Sequence, residues 1–209
     1  MRKILLYIIV FVLTCFSIPI MFSNKKEKIV NSKTNITENI VNNSISEVKK
    51  YDYKKYNTIK LCHVKENTVE EIPIDEYLYG VVAAEMPASF EKEALKAQAI
   101  VARTYTIYKI ENNQGKHDGA DICDSSTCCQ AWISKEDRFS RWEDGTEENN
   151  WNKIVQAVDS TKGKIITYDG NVINAFFHSN SGGKTETTLN VWGGDGYPYL
   201  QAVLTSGED

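Results

Sequence analysis

The stretch Val81–Tyr105, VVAAEMPASFEKEALKAQAIVARTY, carries two helical patterns divided by a proline, and sets one carboxylate, Glu85, among valines, alanines and a methionine. Just upstream, Asp75 stands where a helix cap belongs, and Tyr77, Leu78, Val81, Val82 and Glu85 follow at helical spacing. A residue that precedes proline is pushed out of the helical region, so Pro87 predicts that this helix stops at Glu85 or Met86. Glu85 then falls at a helix end, where a side chain can face a cleft. Downstream, Ser89 predicts the cap of a second helix, Glu91 and Glu93 suit its positive end, and Ala94, Ala97, Val101, Tyr105 and Tyr108 form one apolar stripe. Arg103 has Ala99, Ile100, Thr106 and Ile107 as its helical neighbours, so its guanidinium needs an anion or a route to water.

Working outward, TIKLCHVKENTVEEIPI (residues 58–74) alternates apolar and polar residues around Glu66-Asn67 and predicts a β-hairpin. Residues 136–151 are charged and rich in asparagine. They predict a surface insertion anchored by Phe139, Trp142 and Trp151, a sugar-stacking wall being the alternative. Asn152 to Lys162 predicts a helix ending near Gly163, and KIITYDGNVINAFF (164–177) a hairpin turned at Asp169-Gly170. Helices before and strands after give an α+β domain over residues 57–209, with a cleft near Glu85 and the Ser179–Lys184 loop.

A chain of 209 residues with 42% hydrophobic content can bury one sizeable core. The net charge of −4 and the lack of a basic block in the folded part exclude a nucleic-acid surface, and no phosphate-cradling glycine loop occurs. Ahead of the domain, Arg2 and Lys3 precede an uncharged apolar run from Ile4 to Phe22, long enough to cross a bilayer. It is read as a transmembrane anchor (4–22) after a cytoplasmic stub (1–3), with a cleaved signal peptide as the alternative. Residues 23–56 have the polar composition of a flexible extracytoplasmic linker.

Outside the apolar run the cysteines are Cys62, Cys123, Cys128 and Cys129, and His117 lies shortly before Cys123. His117, Cys123, Cys128 and Cys129 form a four-ligand set for a tetrahedral, structural zinc. A disulfide from Cys123 to one of its neighbours is the competing reading, favoured by an exported location. Cys62 reads as a buried thiol. The SNSGGK stretch, Ser179 to Lys184, has the composition of a loop that turns sharply or approaches a ligand with its backbone. His178 with Ser179 or Ser181 suggests a serine hydrolase only weakly, since no G-x-S-x-G elbow surrounds them.

Four segments, IPIDEYLYGVVAAEMPASFEKEALKAQAIVARTYTIYK, DICDSSTCCQAW, FFHSNSGGKTE and VWGGDGYPYLQAV, occur in order between Asn57 and Val203. Together they resemble the stage II sporulation protein D family, membrane-anchored peptidoglycan lytic transglycosylases of endospore formers. The family continues past this point, so the resemblance implies a fragment or a short member. It also implies that Glu85 is the catalytic acid. Such an acid protonates the glycosidic oxygen between N-acetylmuramic acid and N-acetylglucosamine. It then takes the proton of the muramoyl C6 hydroxyl, which closes a 1,6-anhydro ring. Apolar surroundings disfavour the charged form of a carboxyl group, as a general acid requires. The plainer alternative is a helix-end acid satisfied by a lysine.

Arg103 and Lys184 match the family's other functional cations, and at least one is expected to bind the lactyl carboxylate of muramic acid, beside Ser179, Asn180, Ser181 and Gly182. Arg103 paired with a structural acid is the alternative. Members of the family can carry zinc in the cysteine region, some with histidine at the place of Cys128. The implied partners are peptidoglycan glycan strands and the stage II sporulation proteins P, an amidase, and M. The implied location is the membrane of the engulfing septum. A non-catalytic wall-binding or amidase-enhancing module is the second function class.

Overall fold

The computed structural model describes residues 52–112, 117–205 and 207. The expected anchor and most of the linker lie outside the described residues; among the described ones no helix is long and apolar enough to cross a membrane. Among the described residues, regular structure begins ahead of Asn57, with a 3-10 turn over Tyr53–Tyr56 that lays Tyr56 against the core.

Strand β1 (Thr58–His63) buries Ile59 and Leu61 and exposes Thr58 and Lys60, the alternation that one apolar face requires. It pairs antiparallel with β2 (Thr68–Pro73), Ile59 opposite Ile72 and Cys62 opposite Val69. The turn falls at Glu66-Asn67 as predicted, with Asn67 in the left-handed region at φ 53°, which asparagine tolerates. On its other edge β1 pairs parallel with the two-residue β3 (Ile122–Cys123), giving the order β2-β1-β3. Cys62, on the central strand, is half-buried rather than fully buried.

Helix α1 (Ile74–Glu85) follows β2 directly and ends where Pro87 predicts, Met86 turning extended at φ −129° and ψ 140°. Its start differs from expectation. Pro73 occupies the cap position, no side chain caps the helix, and Asp75 lies inside the first turn facing Arg103 and Lys162. Helix α2 (Lys92–Asn112) begins after Ser89, because Pro87–Phe90 close a turn of their own and the Glu91 carbonyl accepts the first helical bonds. The buried face of α2 is also rotated. Ala97 is exposed and Val101 half-buried, while Leu95, Ala99, Ala102 and Thr106 are buried. The reason is that α2 is enclosed from more than one side in its second half, where every residue from Ala102 to Ile107 is buried.

A short α3 (Lys135–Phe139) precedes α4 (Glu147–Asp159), which starts earlier than the predicted Asn152. Glu147 and Glu148 at its positive end offset the poor helix propensity of the asparagines that follow. Phe139, Trp142 and Trp151 form an aromatic cluster with Tyr79, in the anchoring role and not as an open wall. Helices α1, α2 and α4 pack on one another, α1 against β2 and α2 against β3. Tyr77, Leu78, Val81, Leu95, Ile122 and Ile154, all fully buried, form the centre of this core.

The predicted second hairpin is present but short: β4 (Thr167–Tyr168) and β5 (Asn171–Val172) are joined by Asp169 and Gly170 at φ 49° and 79°. Two successive positive φ values define the tight turn that matches strand twist. A last short helix, α5 (Thr188–Trp192), is capped by the Thr187 side chain. The fold is α+β.

Candidate active site and metal-ligand cluster

Glu85 is the last residue of α1 and is half-buried. Its Oε1 accepts the main-chain N–H of Ala131 at 2.8 Å, and no lysine pairs with it among the described residues. Oε2 has no hydrogen-bond partner among them. The break after Glu85 is held from α4, whose Lys153 Nζ donates to the carbonyls of Ala88 at 2.9 Å and Phe90 at 2.6 Å. The carboxylate thus sits between two fixed segments of main chain.

Ala131 belongs to a loop anchored on both sides. Before it, Gln130 is buried and its Nε2 donates to the hydroxyls of Tyr77 (2.8 Å) and Thr106 (2.9 Å), tying the loop to α1 and α2. After it, Trp132 lies against Gly80 of α1. A Cβ on Gly80 would overlap the indole and come within 2.7 Å of the Ile133 carbonyl, so only glycine lets the loop approach this closely. Ala131 and Trp132 also line a cleft of about 630 Å³ with His63, Asp124 and Arg141. There His63 is held between Asp124 (3.3 Å) and Glu70 (3.0 Å), its ring 5.3 Å from that of Trp132.

The same loop carries the cysteines. His117, Cys123, Cys128 and Cys129 offer ligand atoms that all lie within 4.8 Å of one another. His117 Nε2 is 3.3 Å from Cys129 Sγ and 3.6 Å from Cys128 Sγ, and the two sulfurs are 4.0 Å apart. A tetrahedral zinc with bonds of about 2.3 Å to sulfur and about 2.0 Å to nitrogen spaces its ligand atoms about 3.5–3.8 Å apart. The residues fit the ion. All four described cysteines are unbridged. Burial pushes the Cys123 thiol up to about 12 and the Cys129 thiol upward, so near neutrality a bound cation is what would hold these sulfurs as thiolates.

Arg103 is 1% exposed. Its guanidinium donates to the carbonyls of Thr161 (2.9 Å), Val158 (3.3 Å) and Lys164 (3.4 Å), at and just beyond the C-terminal end of α4. Asp75 lies 3.6 Å from it. Burial lowers the arginine and raises the aspartic acid, each opposed by the attraction of its partner. The geometry is that of a clamp between α1, α2 and α4, the structural alternative for this residue.

Ser179, Asn180, Ser181, Gly182 and Lys184 lie in a separate loop. Gly182 and Gly183 have φ of 68° and 92°, and Gly182 N–H donates to Asn180 Oδ1 at 2.7 Å. The loop is tied to the chain's last described residues: Thr185 N–H donates to Val203 O (2.8 Å) and Thr205 N–H to Gly183 O (3.0 Å). Asn180, Ser181 and Lys184 line a second cleft, of about 560 Å³, with Phe176, Trp192 and Tyr199. Glu85 lines neither of the two clefts described, so they do not join it to this loop. The sequence reading missed Ala131, Gln130 and Gly80, although a lone glycine inside a helical pattern is a signal of close approach.

The SpoIID family model, described as "Stage II sporulation protein", matches residues 63–168, which run from the end of β1 through Glu85, the ligand cluster and α4 to β4. The chain belongs to this family. It is 40% identical over 148 residues to the stage II sporulation protein D of Bacillus subtilis (strain 168), covering 70% of this chain and 42% of that one. It is 37% identical to the protein of that name from Bacillus amyloliquefaciens, with the same coverage. The amidase enhancer of Bacillus subtilis (strain 168) is 38% identical over 125 residues, 60% of this chain and 14% of the enhancer. The chain therefore spans less than half the length of these relatives.

Proposed function

We propose that the chain is a peptidoglycan lytic transglycosylase of sporulation, with Glu85 as its acid and base. The observation that supports this reading is the placement of Glu85: one carboxylate oxygen is fixed by the Ala131 N–H and the other has no hydrogen-bond partner among the described residues. Protonated Oε2 delivers its proton to the glycosidic oxygen as the bond to the muramoyl anomeric carbon breaks. The resulting carboxylate takes the proton of the C6 hydroxyl, whose oxygen bonds to that carbon. The products are a free N-acetylglucosamine end and a 1,6-anhydromuramoyl end, and no water is consumed. One carboxylate serves both transfers, in contrast to the paired carboxylates of most glycosidases.

Lys184, exposed in its cleft, is the available cation for a muramoyl lactyl carboxylate along the glycan, since Arg103 is already occupied. That carboxylate is free only where an amidase has removed the stem peptide. The reading therefore includes an amidase partner, the stage II sporulation protein P, with protein M, at a septal membrane to which residues 4–22 anchor the chain. Zinc held by His117, Cys123, Cys128 and Cys129 would fix the loop, and with four protein ligands it leaves no position for activating water. The similarity to an amidase enhancer supports a second reading, a non-catalytic module that binds the wall.

Mass spectrometry of amidase-stripped peptidoglycan incubated with the full chain, beside Glu85→Gln, tests the choice. Anhydromuramoyl ends made by the unmodified chain alone support the enzyme. Their absence with both proteins favours the binding module.

A further inference from the structure

The second cleft has features that the assignment of Lys184 does not use. Large apolar side chains stand open on its walls, Trp192 at 65% exposure and Phe176 at 40%, with their ring centroids 4.8 Å apart. Tyr199 completes the wall and is held in place, its hydroxyl accepting the Asn174 N–H at 3.1 Å and its ring stacking on Tyr197 at 5.3 Å. The polar rim carries Lys184, Asn180 and Gln201. Glu186 also borders the cleft, but its carboxylate is engaged by the Thr187 N–H (2.7 Å) and Asn190 Nδ2 (2.9 Å), at the start of α5.

Fixed rings beside amide and cationic groups suit a ligand with apolar faces and a hydroxylated edge, which describes a pyranose ring. The volume of about 560 Å³ falls within the ordinary range for small-ligand pockets. We infer that this cleft is a saccharide-stacking subsite, in which Trp192, Phe176 and Tyr199 hold an N-acetylhexosamine ring next to the residue whose carboxylate meets Lys184. The inference rests on the reading of the chain as a peptidoglycan-acting protein, though not on Glu85 being catalytic. The stacking rings recognise the glycan backbone, and Lys184 recognises the stripped muramoyl residue within it.

The test is calorimetric titration of the full chain with two probes: a neutral N-acetylglucosamine tetramer, and a tetrasaccharide from amidase-stripped peptidoglycan. Trp192→Ala is expected to weaken both by about tenfold, and Trp192→Phe to restore most of the loss. Lys184→Ala is expected to weaken only the carboxylate-bearing probe. Trp192 is largely exposed, so an unchanged thermal transition in Trp192→Ala separates lost stacking from lost folding. Equal affinity of Trp192→Ala and the unmodified chain for both probes would overturn the subsite. So would Trp192-dependent self-association with no saccharide binding, which would assign the cleft to a protein contact. Anhydro-end formation by the same chains keeps the two readings apart. Trp192-dependent binding without such ends upholds the subsite and removes the enzyme. Normal ends with Trp192-independent binding do the reverse.

Discussion

Glu85 and Ala131, 46 residues apart in the chain, are joined by a single 2.8 Å hydrogen bond from the alanine N–H to the glutamate carboxylate. The donor is main chain, so no substitution at residue 131 other than proline deletes it, and its position depends on what anchors the loop. Three anchors are visible: the ligand cluster, Gln130 and the Gly80–Trp132 contact.

Gly80→Ala should therefore act on Glu85 through the loop in which Trp132 adjoins Ala131. The added methyl group forces Trp132 and the loop outward, at a cost of about 1–3 kcal/mol for overpacking. Urea denaturation should show that loss. If Ala131 moves with Trp132, anhydro-end formation should fall by more than the unfolded fraction explains.

If the cluster holds zinc as proposed, removing the ion should loosen the same loop. Chelation, or Cys129→Ser, is expected to release one zinc per chain and to lower Tm by about 10 °C. Cobalt substitution should give the absorption of thiolate coordination in the native chain only. An unchanged Tm with no bound metal and a mapped Cys123 disulfide would refute the cluster as a zinc site.

Arg103→Met should destabilise the domain by about 3 kcal/mol, since it strips donors from carbonyls at the end of α4 and leaves Asp75 without the buried one of its two cations. Saccharide affinity of the folded fraction should not change. Lost affinity at full stability would instead put Arg103 on the substrate.

Asp75 gives the domain a pH signature. Burial raises its carboxyl above the ordinary 3.8 more than Arg103 and Lys162 lower it, so the folded chain holds this proton more tightly than the unfolded chain. The contribution of Asp75 is greatest below the unfolded value, and stability is lost as pH rises from there through the folded one. Asp75→Asn should flatten that part of a urea-midpoint profile against pH. An unchanged slope would mean that other groups set it.

Much of this arrangement was legible in the sequence. Pro87 fixed the end of α1, strict alternation revealed β1, and Asp169-Gly170 marked a turn, because each is a local rule acting on neighbouring residues. The grouping of His117, Cys123, Cys128 and Cys129 was legible for a different reason, since cysteine and histidine are scarce enough to be paired by count. What escaped depended on distant contacts. Asp75 looked like a cap and became the partner of Arg103, because a buried guanidinium outweighs a cap that the Asn57 carbonyl replaces by accepting the Ile74 N–H. The stripe on α2 was misaligned because burial there comes from elements far along the chain. The bond from Ala131 to Glu85 leaves no mark in side-chain chemistry at all.

The parallel pairing of β1 with β3 bears on when the site comes into being. Lys60 N–H meets the Asp121 carboxylate across a separation of 61 residues, whereas β2 follows β1 through one tight turn. Closing so long a loop costs entropy that only packed helices can offset, which makes β3 a late arrival in folding. Cys123 lies on β3, so the ligand cluster, and with it the loop that steadies Glu85, should appear in the last phase of stopped-flow refolding. A chain caught halfway would possess the glutamate but not its setting, so the proposed chemistry would have to wait until the domain is complete.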